Sequence, residues 1–177
     1  NGTDSGTIHA YVAEPTVFQR DALTEHGWTL RARVRVVNTN DTVDGAVSVS
    51  FDVDHHGLAR RYSMCFGSDT NGHAVVGLLN GVGPAPDVPF SYAHVHNTGS
   101  GGHHLYELVN SDADQTVTLR VDGKNTRLSY SGIENIYGVN RVIWGANASA
   151  HAGEGHYSLV EFKIHPPAER VTRIDVK

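Results

Sequence analysis

The sequence predicts an all-β chain folded as an antiparallel sandwich or barrel, and three observations carry that expectation. Apolar and polar residues alternate with a period of two, most plainly in residues 28–37: Trp28, Leu30, Ala32, Val34 and Val36 share one face, and Thr29, Arg31, Arg33 and Arg35 the other. Roughly ten to twelve such short runs are separated by turn-forming clusters, and no segment has a convincing helical period. Third, Val121-Asp122-Gly123-Lys124 sets Asp-Gly between two alternating runs. That is the strongest short-range hairpin signal, because a two-residue type I′ turn needs φ > 0 at both central positions.

Residues 1–27 are weakly patterned, with a strand expected at Thr7–Val12 and a loop at Glu14–Ala22 around Pro15. After the Trp28 run and the polar turn Asn38–Asp44 comes Ala46–Asp54, with Val47, Val49, Phe51 and Val53 on its apolar face. Arg61–Gly67 follows, with Tyr62, Met64 and Phe66 on one side. Read as one meander, these three strands place Val34 opposite Val49, Arg31 opposite Asp52, Phe51 opposite Met64 and Asp54 opposite Arg61. Parity carries the reading, since a one-residue slip would send every apolar side chain to water. The meander then has a single charged face of Arg31, Arg33, Arg35, Asp52, Asp54 and Arg61. Cys65 shares that face, and because free cysteine prefers burial, loops are expected to cover part of it as a cleft.

Further on, Gly67–His73 reads as a turn, Ala74–Leu79 as a strand, Asn80–Phe90 as a Gly/Pro loop and Ser91–Asn97 as a strand. His103–Lys124 is a strand, a turn and a second strand entering the Asp-Gly hairpin, where Val117 is expected opposite Leu128 and Leu119 opposite Thr126. Ser131–Asn140 is irregular, Val142–Trp144 and Tyr157–Ile164 are strands, and Arg170–Lys177 is a further edge strand.

All 177 residues read as one domain, long enough to bury a core. Hydrophobic residues at 39% and charged residues at 19% fit a folded globular chain rather than disorder. A net charge of −5 leaves no basic footprint for nucleic acid, and no apolar run approaches a membrane-spanning helix. A single cysteine excludes an internal disulfide and a cysteine-cluster metal site. The chain opens at Asn1 with neither Met nor an apolar leader, as expected of a processed chain or excised module, and three Asn-x-Ser/Thr sequons are compatible with secretion.

Several pieces then fall in a recognisable order: His104-x-Tyr106-Glu107-Leu108, Leu119-x-Val121-Asp122-Gly123, and Trp144-Gly145 followed by NASAHAGEGHYSLVEF. From about Trp28 to Ile164 the chain resembles the concanavalin A-like lectin/glucanase superfamily, particularly its laminin-G-like modules. The resemblance implies a two-sheet antiparallel jelly-roll sandwich, usually extracellular and commonly glycan-binding, often attached to sialidases, fructanases or other secreted glycosidases. Enzymes of the superfamily imply other features. Its β-glucanases carry a Glu-x-Asp-x-x-Glu-like strand, which this chain lacks; Asp52-x-Asp54 is the only strand-borne alternate pair, and its arginine companions disfavour a general acid. The Arg- and His-containing motifs of its polysaccharide lyases are also not evident, although His94-x-His96 with His103 and His104 keeps a lyase reading open.

The expected ligand set is Arg31, Arg33, Asp52, Asp54 and Arg61 for sugar polar groups, with His104 and Tyr106 beside them. Arginine can take a sugar carboxylate bidentately, so the arginine row points to an acidic sugar such as sialic acid or a uronate. The competing reading of that face is a solvent-facing ladder of ion pairs, each worth about 0.2–1 kcal/mol. Asp69, Asn71, Asp112 and Asp114 offer oxygen ligands for a structural Ca2+, without completing a calcium loop. Twelve histidines, including His55-His56 and His151/His156, could supply zinc ligands, but loops hold histidine for many reasons. Trp144, Tyr137, Tyr157 and Tyr92 could stack on sugar rings, Trp144 and Tyr157 reading better as core. The function expected is a non-catalytic carbohydrate-binding, lectin-like module of a secreted protein, targeting an appended glycosidase. A small lyase or hydrolase, or a laminin-G-like protein-binding domain, are the alternatives.

Overall fold

The computed structural model describes residues 10–16, 23, 26–39, 47–55, 58–69, 71–81, 91–97, 101–111, 115–134, 139–145 and 153–165. The strands, in chain order, are β1 (Ala10–Ala13), β2 (Trp28–Thr39), β3 (Ser48–His55), β4 (Leu58–Ser68), β5 (Ala74–Gly81), β6 (Ser91–Asn97), β7 (His104–Asn110), β8 (Val117–Val121), β9 (Lys124–Tyr130), β10 (Ile133–Glu134), β11 (Arg141–Gly145) and β12 (Gly153–Ile164). They form two antiparallel sheets. The first runs β1-β11-β3-β4-β5-β6 with β10 also on β4, and the second runs β12-β2-β7-β8-β9. This is the two-sheet jelly-roll sandwich that the sequence predicts. The tail strand expected at Arg170–Lys177 lies outside the described residues.

The meander needs correcting. β2 pairs with β12 and β7 in the second sheet, while β3 and β4 pair with each other in the first. Val34 therefore does not lie beside Val49, and Arg31 does not lie beside Asp52. The two apolar faces meet across the sandwich instead: Trp28 packs edge-on against Phe51 and Tyr62, with ring centroids 4.9 and 5.1 Å apart. Period-two parity is satisfied equally by strands adjacent in one sheet and by strands facing each other between sheets, so it cannot separate the two. Within β3–β4 the expected parity holds, but the register is two residues away: Phe51 opposes Tyr62 and Asp52 opposes Arg61.

Inward residues of both sheets, among them Leu30, Phe51, Tyr62, Phe66 and Leu108, make one core with Leu23 from the segment between β1 and β2, each 0% exposed. Burying each such side chain stabilises the fold by about 1.5–3 kcal/mol. Tyrosine hydroxyls pin the layers together at the core's edges. Tyr157 of β12 donates to the Ser48 carbonyl at 3.0 Å and accepts from the Ser48 N–H at 2.9 Å, and Tyr130 of β9 donates to the Leu79 carbonyl. Burial pushes both phenols well above their ordinary acidity range. Gly155 allows the layers to approach, because a Cβ there would lie 2.4 Å from Val47 Cγ1.

The Asp-Gly hairpin forms as the sequence requires. Val121 opposes Lys124, and Asp122 and Gly123 have φ of 49° and 75°. Beyond Arg120–Asn125 the β8–β9 register shifts, so Val117 opposes Tyr130 and not Leu128. The cause is a bulge around Arg127, whose φ is 64°.

Candidate functional site

The corrected topology splits the expected charged face in two. Arg31, Arg33 and Arg35 lie on the outside of the second sheet. Asp52, Asp54 and Arg61 lie on the outside of the first.

On the first sheet, Ser48, Ser50 and Asp52 alternate along β3 with the core residues Val49, Phe51 and Val53, and so point away from the core. Ser63 and Cys65 do the same on β4, and Val75 and Leu79 on β5. None of these outward residues is more than 3% exposed. Cys65 is buried, as its chemistry led one to expect, and protein covers this part of the first sheet's face.

Its centre is a cross-strand triad. Asp52 lies opposite Arg61 on one side and Arg141 of β11 on the other. Arg61 donates from Nε to Oδ1 at 2.6 Å and from Nη2 to Oδ2 at 2.8 Å, and Arg141 Nε donates to Oδ2 at 2.9 Å. The Asp52 side chain is 0% exposed, whereas Arg61 and Arg141 keep 13% and 27% side-chain exposure. A buried carboxylate is tolerable only when its oxygens are paired and hydrogen-bonded, and here both are. This chemistry makes Asp52 a holder of guanidinium groups. Beside the triad, the Ser50 and Ser63 hydroxyls meet at 2.8 Å. At the end of β3 the Asp54 N–H donates to Asn140 Oδ1 at 2.8 Å.

The outer face of the second sheet is different. Register sets Glu161, Arg31, Glu107 and Arg120 in a row across β12, β2, β7 and β8, with charges of alternating sign. Arg31 Nε donates to Glu161 Oε2, and Arg31 Nη1 stands 3.9 Å from Glu107 Oε1; Lys163 Nζ reaches Glu161 Oε1 at 3.2 Å. The Arg31 hydrogen bond, aided by Lys163, holds the Glu161 carboxyl below its ordinary value. Arg33 and Arg35 stand exposed beside this row. For Arg31 the arrangement is the ion-pair ladder that competed with the ligand reading.

His104 and Tyr106 do not join either outer face. With Leu108 and Asn110 they form the inward row of β7, and Leu105, Glu107 and Val109 point out. Tyr106 is 0% exposed and packs against Phe66 at 4.7 Å between ring centroids. The His104 ring, 7% exposed, lies with Nδ1 2.7 Å from Asp122 Oδ2, while Asp122 Oδ1 accepts from the Leu105 N–H at 2.9 Å. Desolvation raises the Asp122 carboxyl, but the His104 and Leu105 hydrogen bonds and the Arg33 charge outweigh it and leave the group lowered. His104 thus fastens the Asp-Gly turn to the sheet. Trp144 and Tyr157 pack against the core, as the sequence reading favoured.

Asp69 is a poor cation ligand. Its Oδ1 accepts from the N–H groups of Asn71 and His73, both at 2.9 Å, and Oδ2 lies 3.1 Å from His73 Nδ1. Donors surround a carboxylate that organises a turn, and the Asn71 side chain is exposed. Asp112 and Asp114 lie outside the described residues, as do the side chains of His94 and His96. Among the described residues no three histidine, cysteine or acidic groups come together as a metal site.

Arg141 is the residue that sequence reading missed. Only the long-range pairing of β11 with β3 brings it to Asp52. The single available signal was its position heading the Val142–Trp144 run.

No protein-family model matches the sequence, and no curated protein is matched by it. Among solved structures the chain is similar to the conserved carbohydrate esterase of the Shiga toxin-encoding bacteriophage phi24B. The TM-score is 0.54 at 9% identity, over 81% of this chain and 68% of that one. An alginate lyase from Pseudomonas aeruginosa gives a TM-score of 0.47 at 13% identity over 81% and 67% of the two chains, and sheep galectin-11 gives 0.42 at 11% over 89% and 98%. At such identities the likeness speaks to the fold.

Proposed function

We propose that the protein is a non-catalytic carbohydrate-binding module of a secreted or surface protein, and that it holds sugar on the outer face of the first sheet, over Arg61 and Arg141. One observation carries the reading: a fully buried aspartate grips two arginines that themselves reach solvent. A buried ion pair is a weak way to stabilise a fold, since well-packed apolar residues of similar volume often do as well or better. As a means of fixing guanidinium groups for a ligand it is effective. Positioned N–H donors meet hydroxyl or carboxylate oxygens without the entropy cost of ordering a long side chain. The similarity in fold to a carbohydrate esterase supports a sugar as that ligand.

Asp52, with both oxygens engaged by arginine, serves in this reading as a positioning group rather than an acid. The function of the module is then recognition, delivering an appended glycosidase to its glycan. A glycan array probed with the wild-type protein and with Arg141→Ala tests it. Removing one charged hydrogen-bonding partner should weaken a positive signal about 10- to 100-fold. Arg141 is the better target because Arg61 still holds both Asp52 oxygens without it. An array without binders, with a defined protein partner captured instead, would remove the sugar reading. New reducing ends, or 235-nm absorbance released from an acidic polysaccharide, would replace it with an enzyme.

A further inference from the structure

The outer face of the second sheet holds more positive charge than its ladder absorbs. Its five strands carry seven of the chain's 14 basic side chains and three of its 19 acidic ones, on a chain of net charge −5. Arg33, Arg35, Arg120 and Arg127 are exposed, and among the described residues none of them holds a carboxylate in a salt bridge. Two of these cations stand on β2, one on β8 and one on β9. Between them lies β7 with Glu107, and Asp122 sits at the neighbouring turn, opposite the Leu105 backbone. Neighbouring strands are about 4.8 Å apart, so the two basic groups flank this acidic strip at about 10 Å from β2 to β8.

A second observation comes from the backbone. Arg127 is held at φ 64°, a left-handed conformation that strains an L residue and in which glycine is the usual occupant. Its neighbours secure it: Asn125 Oδ1 accepts the Arg127 N–H at 2.7 Å, and Thr126 Oγ1 donates to the Leu119 carbonyl at 2.8 Å. A bulge serving only the scaffold would favour glycine. This one presents a guanidinium at the edge of the basic group.

We propose that this face is a second binding surface, for a polysaccharide whose sugars carry carboxylates. The cations take the carboxylates, and Glu107 and Asp122 accept from sugar hydroxyls between them. That alternation decides the polymer. Nucleic acid and anionic lipid present dense phosphate with few donors, and Glu107, Glu161 and Asp122 repel them. A polyuronate supplies anions and donors in turn along one chain. The inference rests on the carbohydrate reading above but uses the opposite side of the sandwich.

Polygalacturonate binding to the full chain, measured by calorimetry at 50 mM salt, tests it. The Arg33→Ala/Arg35→Ala double variant should bind at least tenfold more weakly. Arg127→Gly should bind several-fold more weakly while melting at a higher temperature, a pairing that a purely structural arginine would not produce. Wild-type affinity in both variants overturns the proposal, as does duplex DNA or phosphatidylserine vesicles binding as tightly as polygalacturonate. A wild-type protein that binds short array glycans but no polygalacturonate overturns this inference alone. One that binds neither overturns the carbohydrate reading with it.

Discussion

The two outer faces of the sandwich carry similar residues and solve opposite problems. Each sets arginines and carboxylates side by side on adjacent strands, Arg141–Asp52–Arg61 on one and Glu161–Arg31–Glu107–Arg120 on the other. On the first sheet the carboxylate is buried and the pairing is obligatory. On the second, Arg31 and Glu161 are about 30% exposed and the pairing is optional, because water can replace either partner. The same cross-strand geometry is therefore a rigid mount in one place and a solvated ladder in the other. Cover decides which.

The largest expected effect separates the faces by stability. Asp52→Ala leaves two guanidinium groups on a covered face without their shared partner and should cost about 3–5 kcal/mol in urea unfolding, whereas Glu161→Ala should cost about 0.2–1 kcal/mol. Equal costs would break the comparison.

Next in size is Arg127→Gly, which relieves a left-handed arginine at the price of glycine's extra chain entropy and should stabilise by about 0.5–1 kcal/mol in the same assay. A loss of stability would mean that Arg127 packs structurally.

Salt sharpens the contrast further. A double-mutant cycle on Arg31 and Glu161 should show a coupling of a few tenths of a kcal/mol at low salt that fades at 1 M, where the screening length is about 3 Å. A cycle on Arg141 and Asp52 should keep most of its coupling.

Acid gives the smallest effect. Glu161 and Asp122 lie below their ordinary values of 4.5 and 3.8 in the folded chain, so each contributes stability that is present above those values and is lost as pH falls through the lower folded ones. Glu161→Gln and Asp122→Asn should each flatten the fall in melting temperature below about pH 5, and neither should change the curve near neutrality.

Fold class was readable because period-two alternation and turn chemistry are local. Asp122-Gly123 specified its own hairpin down to the sign of both φ angles, and Cys65 disclosed a covered face through its preference for burial. What escaped the sequence depends on contacts distant along the chain. Alternation in β2 and β3 could not say whether their apolar faces lay side by side or face to face, and that ambiguity fused two charged faces into one. Arg141 joins Asp52 across 89 residues of chain, through a strand of only five. The turn-bound role of His104 needed the β7–β8 pairing to become visible, and the bulge at Arg127 had no glycine to announce it.

The central claim, that Asp52 holds Arg61 and Arg141 for a sugar, is tested most directly by titrating the protein with the strongest short glycan from the array while following arginine Nε–Hε resonances. The account predicts saturable shifts of Arg61 and Arg141 that share one dissociation constant, with Arg31 and Arg33 unmoved. Shifts confined to Arg31, Arg33 and Arg35, with the Asp52-bound pair silent, would contradict it.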